Sequence, residues 1–220
     1  MLKISSAVAD IVESSEVARS ALAGGYLNLN AYARSIRKSV EKITKKSVKI
    51  GTIVVALSRF GRAIKKEIPL VPDVVIDTLS IRSGLAALVF NKTSENLTTL
   101  RRLYQDERLR ASDFLAVSQG TGEITIITVG DAVSSIRNLF NRQKPKVIIR
   151  SLSGLTVRFA DEYANVPNIF YSFLRSLAIK RINIVEIIST YTELTFVINE
   201  RDLEVAFRTL NKEFKRKISP

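Results

Sequence analysis

The stretch DFLAVSQGTGEITII at residues 113–127 finds a counterpart in NIVEIISTYTELTFV at residues 183–197. Both hold an apolar, β-branched run, a break rich in Gly, Thr and Ser, a Glu, and a second apolar run, the pattern of a β-hairpin. Working outward at the same 70-residue offset, GLAALVF at 84–90 lies over GLTVRFA at 154–160. With one inserted residue, Asp131 and Ala132 through Arg137 and Leu139 match Asp202 and Leu203 through Arg208 and Leu210. Identity is low, but four blocks at one spacing indicate a duplication.

Each copy reads as strand (85–91; 155–160), helix (94–107; 167–178), two hairpin strands (113–119 with 123–129; 184–190 with 193–198) and closing helix (131–141; 201–212). Leu97, Leu100, Leu103 and Tyr104 form an apolar stripe on the first helix. Helices covering one face of an antiparallel sheet make a ferredoxin-like α+β sandwich. A complete βαββαβ unit ends in a strand, whereas this chain ends in the polar KEFKRKISP. Each copy is instead preceded by an apolar run, Val74–Ile76 and Val147–Ile149. One or both sheets are therefore expected to borrow a strand across the copy boundary and interlock.

Ahead of the repeat, Pro69 and Pro72 end a helical pattern and mark a linker. The expected domains are a helical domain at 1–70, a first α+β unit at 71–150 and a second at 151–220. In the first domain, Ser5 and Ser6 are expected to cap one helix, and a second runs from Glu16 to Gly24 and Gly25. Asn30 is expected to cap a third, with Tyr32, Ala33, Ile36, Val40 and Ile43 on its apolar face. A fourth follows Ser47, with Ile50, Ile53, Val54, Leu57 and Ile64 inward. The tight turn at Lys46 and Ser47 gives a helix-turn-helix arrangement, to which Val74–Ile76 could add part of a wing.

The 220 residues carry 34 Lys and Arg against 21 Asp and Glu, a net charge of +13. Residues 1–70 hold 13 basic and 5 acidic side chains, so most of the surplus lies there. Arg34, Lys38, Lys42 and Lys46 follow one another at four-residue spacing. Such like-charge pairs each cost a helix roughly 0.2–0.5 kcal/mol. Thr52, Arg59, Arg62 and Lys66 fall opposite the apolar face of the next helix, with Lys49 at its start. A helix so lined could enter a major groove while its predecessor grips phosphates. DNA is the expected partner of these residues; RNA, another polyanion, or a merely solvated basic face are the alternatives.

The chain has no His, Cys or Trp, which removes thiol, imidazole and zinc-finger chemistry. Asp161, Glu162, Glu186 and Glu193 could supply acid–base chemistry, but nothing places two of them in one site. No Gly-rich phosphate loop occurs. The expectation is a non-enzyme with no metal and no cofactor. The N-terminus lacks a signal-peptide pattern, and the longest aliphatic run, Ile53–Leu57, is far too short to span a bilayer. A cytoplasmic location without membrane attachment is expected.

The segments at Val166–Phe170, Ile182–Ile184, Ile188–Thr190 and Leu194–Ile198 resemble an ACT domain, in particular the pair in the regulatory half of aspartate kinases. The resemblance covers most of 153–211 and, through the internal repeat, more weakly 84–141. With a basic helical domain in front, the chain looks like regulators of amino-acid metabolism; nothing resembles a kinase catalytic domain. The resemblance implies an amino acid held between paired units by the loop after the first strand, here Asp161 to Asn168. It thereby singles out Asp161, Asn165, Val166, Pro167, Asn168 and Ile169. The family's Pro-Gly reads Pro167-Asn168, and Asn183, with Ile184 after it, resembles a ligand-facing Asn. In the first copy the loop is Asn91 to Ser94, without Pro-Gly, and is expected to be structural. The expected whole is a homodimer or higher oligomer in which an amino acid alters DNA binding. The runner-up is a regulatory or dimerisation subunit of a biosynthetic enzyme that binds no DNA.

Overall fold

A computed structural model describes residues 2–65, 71–106, 114–141 and 143–216; Lys66 lies outside them. The chain divides into two compact units, Met1–Leu70 and Val71–Pro220.

The first unit is four helices: α1 (Ile4–Glu13), α2 (Glu16–Gly24), α3 (Leu29–Thr44) and α4 (Ile50–Ile64). Ser15 caps α2 by accepting from the Ala18 N–H, and Gly25, at φ 78°, turns the chain out of it. Asn28, rather than Asn30, caps α3, accepting from the Ala31 N–H at 3.0 Å. Ser5 and Ser6 sit inside α1, whose cap position is Lys3. Ala7, Val8, Val12, Ala33, Ile36, Val40, Ile53 and Leu57 form one buried cluster. Ile43 instead faces solvent at 41 %, and Thr44 is buried with its hydroxyl donating to the Val40 carbonyl. A Cβ on Gly61 would stand 3.1 Å from the Leu22 side chain, so glycine here sets how closely α2 and α4 approach.

The second unit runs β1 (Val75–Asn91), α5 (Ser94–Leu103), β2 (Leu115–Gln119), β3 (Glu123–Val129), α6 (Val133–Leu139), β4 (Val147–Phe159), α7 (Ile169–Ile179), β5 (Ile184–Ser189), β6 (Glu193–Asn199), α8 (Leu203–Glu213) and β7 (Lys215–Arg216). One sheet has the order β2-β3-β1-β4-β6-β5, antiparallel throughout, with β7 parallel to the start of β1. Val74–Ile76 is therefore not part of a wing: its last two residues open the seventeen-residue strand β1. Likewise Val147–Ile149 opens β4.

These two openings are the borrowed strands. Residues 76–82 of β1 pair with 154–159 of β4, beside β6, and Val74 and Ile76 join the core under α7 and α8. Residues 147–149 of β4 pair with 87–89 of β1, and Ile148 packs on the core under α5 and α6. Each half of the sheet is thus completed by the strand that begins the other half.

The repeat holds at the hairpins, where Gly120 N–H to Glu123 O and Thr190 N–H to Glu193 O, both 2.9 Å, are 70 residues apart. It does not hold for the first strands. Phe90 pairs with Ile124 and Val157 with Leu194, an offset of 67. An odd slip reverses the faces: Leu85 and Leu155, matched in the sequence, belong to different cores. The β4–α7 connection overshoots this slip, nine residues against two after β1, so α5 and α7 begin 75 residues apart before the hairpins return to 70. The closing helices begin at Val133 and Leu203, so no residue is inserted there.

Candidate functional site

Arg34, Lys38 and Lys42 on α3, Lys46 in the turn, Lys49 at the cap of α4, and Thr52, Arg59 and Arg62 on α4 are all exposed. On α3 the buried positions Ala33, Ile36, Val40 and Thr44 lie on the other side of the cylinder. The connection between these helices is fixed by Glu41. Its Oε1 accepts from the Val48 N–H at 2.9 Å and from Arg37 Nε at 3.0 Å. The Val48 N–H, followed by Arg37, holds the Glu41 carboxyl below the ordinary carboxylate range. Lys45, which the spacing also offers as a partner, leaves α3 in the left-handed conformation at φ 54°. Thr52 and Arg59 border a cleft of about 340 Å³ that also touches Ile4 and Phe60, so one side of the outer face of α4 abuts α1.

In the second unit, Asp161 begins a 3₁₀ turn, Asp161–Tyr163, directly after β4. Asn165 and Pro167 are exposed, Val166 is half-buried with its N–H donating to Tyr163 O, and Ile169 is buried in the core as the first residue of α7. Asn168 occupies the cap position of α7 at φ 67°, a conformation that Asn and Gly adopt more readily than other residues. Its carbonyl accepts from both the N–H and the hydroxyl of Ser172. Asn183 and Ile184 stand elsewhere. Ile184 pairs with Ile198, at the end of the half-sheet where Leu152 pairs with Asn199. The loop follows the opposite end, where Arg158 pairs with Glu193. One chain therefore brings Asp161 to Ile169 together but not Asn183; a site using both needs a second copy.

The matching connection of the first copy is closed on itself. Thr93 caps α5 by accepting from the Asn96 N–H, and Asn96 Nδ2 donates to the Asn91 carbonyl at 2.8 Å. The sequence-derived set overlooks a further cleft, where the β1–β4 ladder shifts register, lined by Arg82, Gly84, Asp131, Arg150, Ser151 and Glu200 among others. Its one legible signal is Gly84 inside the strand, which marks a bulge. Among the described residues no cluster of acidic groups could hold a metal, and no helix is long and apolar enough to cross a membrane.

No family model matches the chain, and no curated protein is similar to it in sequence. Solved structures do match. The regulatory subunit of aspartate kinase from Thermus thermophilus, in its ligand-free form, superposes with a TM-score of 0.54 at 10 % identity, over 64 % of this chain and 99 % of that one. Aspartate kinase from Clostridium acetobutylicum matches with a TM-score of 0.53 at 14 % identity, over 68 % of this chain and 37 % of that one. Escherichia coli aspartokinase III, in complex with aspartate and ADP, gives 0.51 at 12 % identity, over 64 % and 34 %. This chain thus spans about a third of either kinase but nearly all of the separate regulatory subunit. At such identities the likeness establishes the fold, that of aspartate kinase regulatory regions.

Proposed function

We propose that the chain is a non-catalytic regulator in which tandem ACT-like units sense an amino acid and the helical unit binds DNA. The amino acid would lie in the loop from Asp161 to Ile169 of one copy, its carboxylate toward the N-terminus of α7, with Asn183 and Ile184 of a second copy closing the site. Arg34, Lys38, Lys42, Lys46 and Lys49 would contact phosphates, with Thr52, Arg59 and Arg62 facing the groove. The ligand would act by binding two subunit arrangements unequally, which shifts their populations and with them DNA affinity.

The observation that carries this reading is the union, in one chain, of a regulatory fold with a unit whose exposed helix faces are basic. The test is retention of genomic DNA fragments over a salt series, with and without each of the twenty amino acids at millimolar level. Salt-dependent retention that changes with one amino acid, and that disappears on reversing Lys38, Lys42 and Arg59 to Glu, is expected. Retention unaffected by the triple reversal refutes the assigned face. A second reading is favoured by the near-complete match to a protein that is itself a separate regulatory subunit: this chain would attach to a biosynthetic enzyme. It takes over if wild type binds no DNA while an amino acid still raises its melting temperature.

A further inference from the structure

We propose that the paired bulges between β1 and β4 form a second ligand site, built for a small molecule that carries both a carboxylate and an ammonium group. Along this ladder Arg82 pairs with Gly154, Leu85 with Leu152 and Ala87 with Ile149. The first interval has one extra residue on β1 and the second has one extra on β4, so between Arg82 and Ala87 the two strands bulge in turn and the bulges are adjacent. Gly84 and Ser151 lie in them at φ 73° and 54°. A serine held in the left-handed region is strained, and such strain gathers at ligand clamps, as bulges do beside binding sites.

The bulges open a cleft of about 580 Å³, within the range of small-molecule sites. Glycine lets the turn after β3 approach the bulge closely: a Cβ on Gly130 would stand 3.3 Å from the Gly84 carbonyl oxygen. Four charged side chains line it, Arg82 and Arg150 from the strands, Asp131 and Glu200 from the 3₁₀ turns after β3 and β6. Two charges of each sign favour neither a plain anion nor a plain cation. A zwitterion satisfies both, its carboxylate on a guanidinium fork and its ammonium on a carboxylate. Because one acidic residue follows each hairpin, the bound molecule would touch both halves of the sheet.

The site is separate from the Asp161–Ile169 loop and does not depend on that reading. About ten residues of extended β4 lie between Ser151 and the loop, roughly 30 Å at about 3.3 Å per residue. The experiment is calorimetric titration of the full chain with α-amino acids, and with sulfate and ethylamine as single-charge probes. At least one amino acid is expected to bind while sulfate and ethylamine do not. Arg150→Ala and Glu200→Gln should each weaken binding at the cleft tenfold or more and Arg150→Lys less, while Asn168→Ala tests the loop separately. Both altered side chains are exposed, so unfolding is not expected; should Arg150→Ala misfold, Glu200→Gln alone decides. Sulfate binding as well as any amino acid overturns the proposal, as does the absence of binding at millimolar levels. Binding lost in Asn168→Ala but intact in both cleft variants also overturns it and leaves the loop reading standing.

Discussion

Because β1 and β4 each serve both halves of the sheet, residues 71–220 should unfold as one cooperative body. The perturbations are Leu88→Ala, in the core under α5 and α6, and Phe196→Ala, in the core under α7 and α8; both side chains are fully buried. Leu→Ala in a packed core costs about 2–5 kcal/mol and Phe→Ala about 3–5 kcal/mol. A domain of about 150–250 residues loses roughly 2–4 °C per kcal/mol, so each variant should melt about 10 °C lower. The assay is differential scanning calorimetry of the full chain, where enthalpy identifies the melting body. At about 0.7 kcal/mol per residue, 150 residues give about 105 kcal/mol, 70 residues about 49, and half of the second unit about 52. One transition near 105 kcal/mol should therefore move in both variants, with calorimetric and van't Hoff enthalpies equal. If no component exceeds about 50 kcal/mol, or if the variants lower different components, the two halves fold separately and the interlocking argument fails.

Two further predictions concern single residues. Gly84→Ala meets no atom within 4 Å, so its cost is the left-handed backbone alone, about 1–2 kcal/mol, while Ser151→Gly should be neutral to slightly stabilising. A melting temperature unchanged by Gly84→Ala would mean the bulge is absent. For Glu41, a carboxyl held below its ordinary value contributes stability above the unfolded-state pKa of about 4.3 that is lost as pH falls through the folded value. The amide resonance of Val48, which donates to Glu41, should titrate with a midpoint below about 4.3 and cease to do so in Glu41→Gln. A midpoint at or above the ordinary value would show that the turn is not held this way.

How far the fold was legible depends on the range of the interactions concerned. Gly24 and Gly25 end α2 where the sequence places its end, because a left-handed residue after a helix is a local device. The hairpins register at 70 residues because a short turn sets its own pairing. Asn28 rather than Asn30 as the cap of α3 is an error of two residues between chemically identical candidates; only which N–H the side chain reaches decides it. The first-strand block is a different kind of error. GLAALVF and GLTVRFA look alike, yet their faces depend on partners 34 to 83 residues away and on bulges at Gly84 and Ser151. No local pattern carries that information, and a slip of three residues inverts it.

The candidate sites divide along the same line. Exposure of Arg34, Lys38 and Lys42 on α3 and of Thr52, Arg59 and Arg62 on α4 follows from helical periodicity alone, so these six were readable. The turn that orients them was only half readable: spacing pairs Glu41 with Arg37 and Lys45 alike, but the carboxylate also takes the Val48 N–H seven residues on. Asp161 to Ile169 are neighbours in sequence and remain so in space, whereas joining Asn183 to them requires a second copy, because the end of β4 and the start of β5 lie at opposite ends of the half-sheet. The cleft beside the β1–β4 bulges was least visible of all. Arg82, Asp131, Arg150 and Glu200 are spread over more than a hundred residues, and only strand exchange between the two copies makes them neighbours. A duplicated sequence that swaps strands thus creates, at its junction, a surface that neither copy encodes alone.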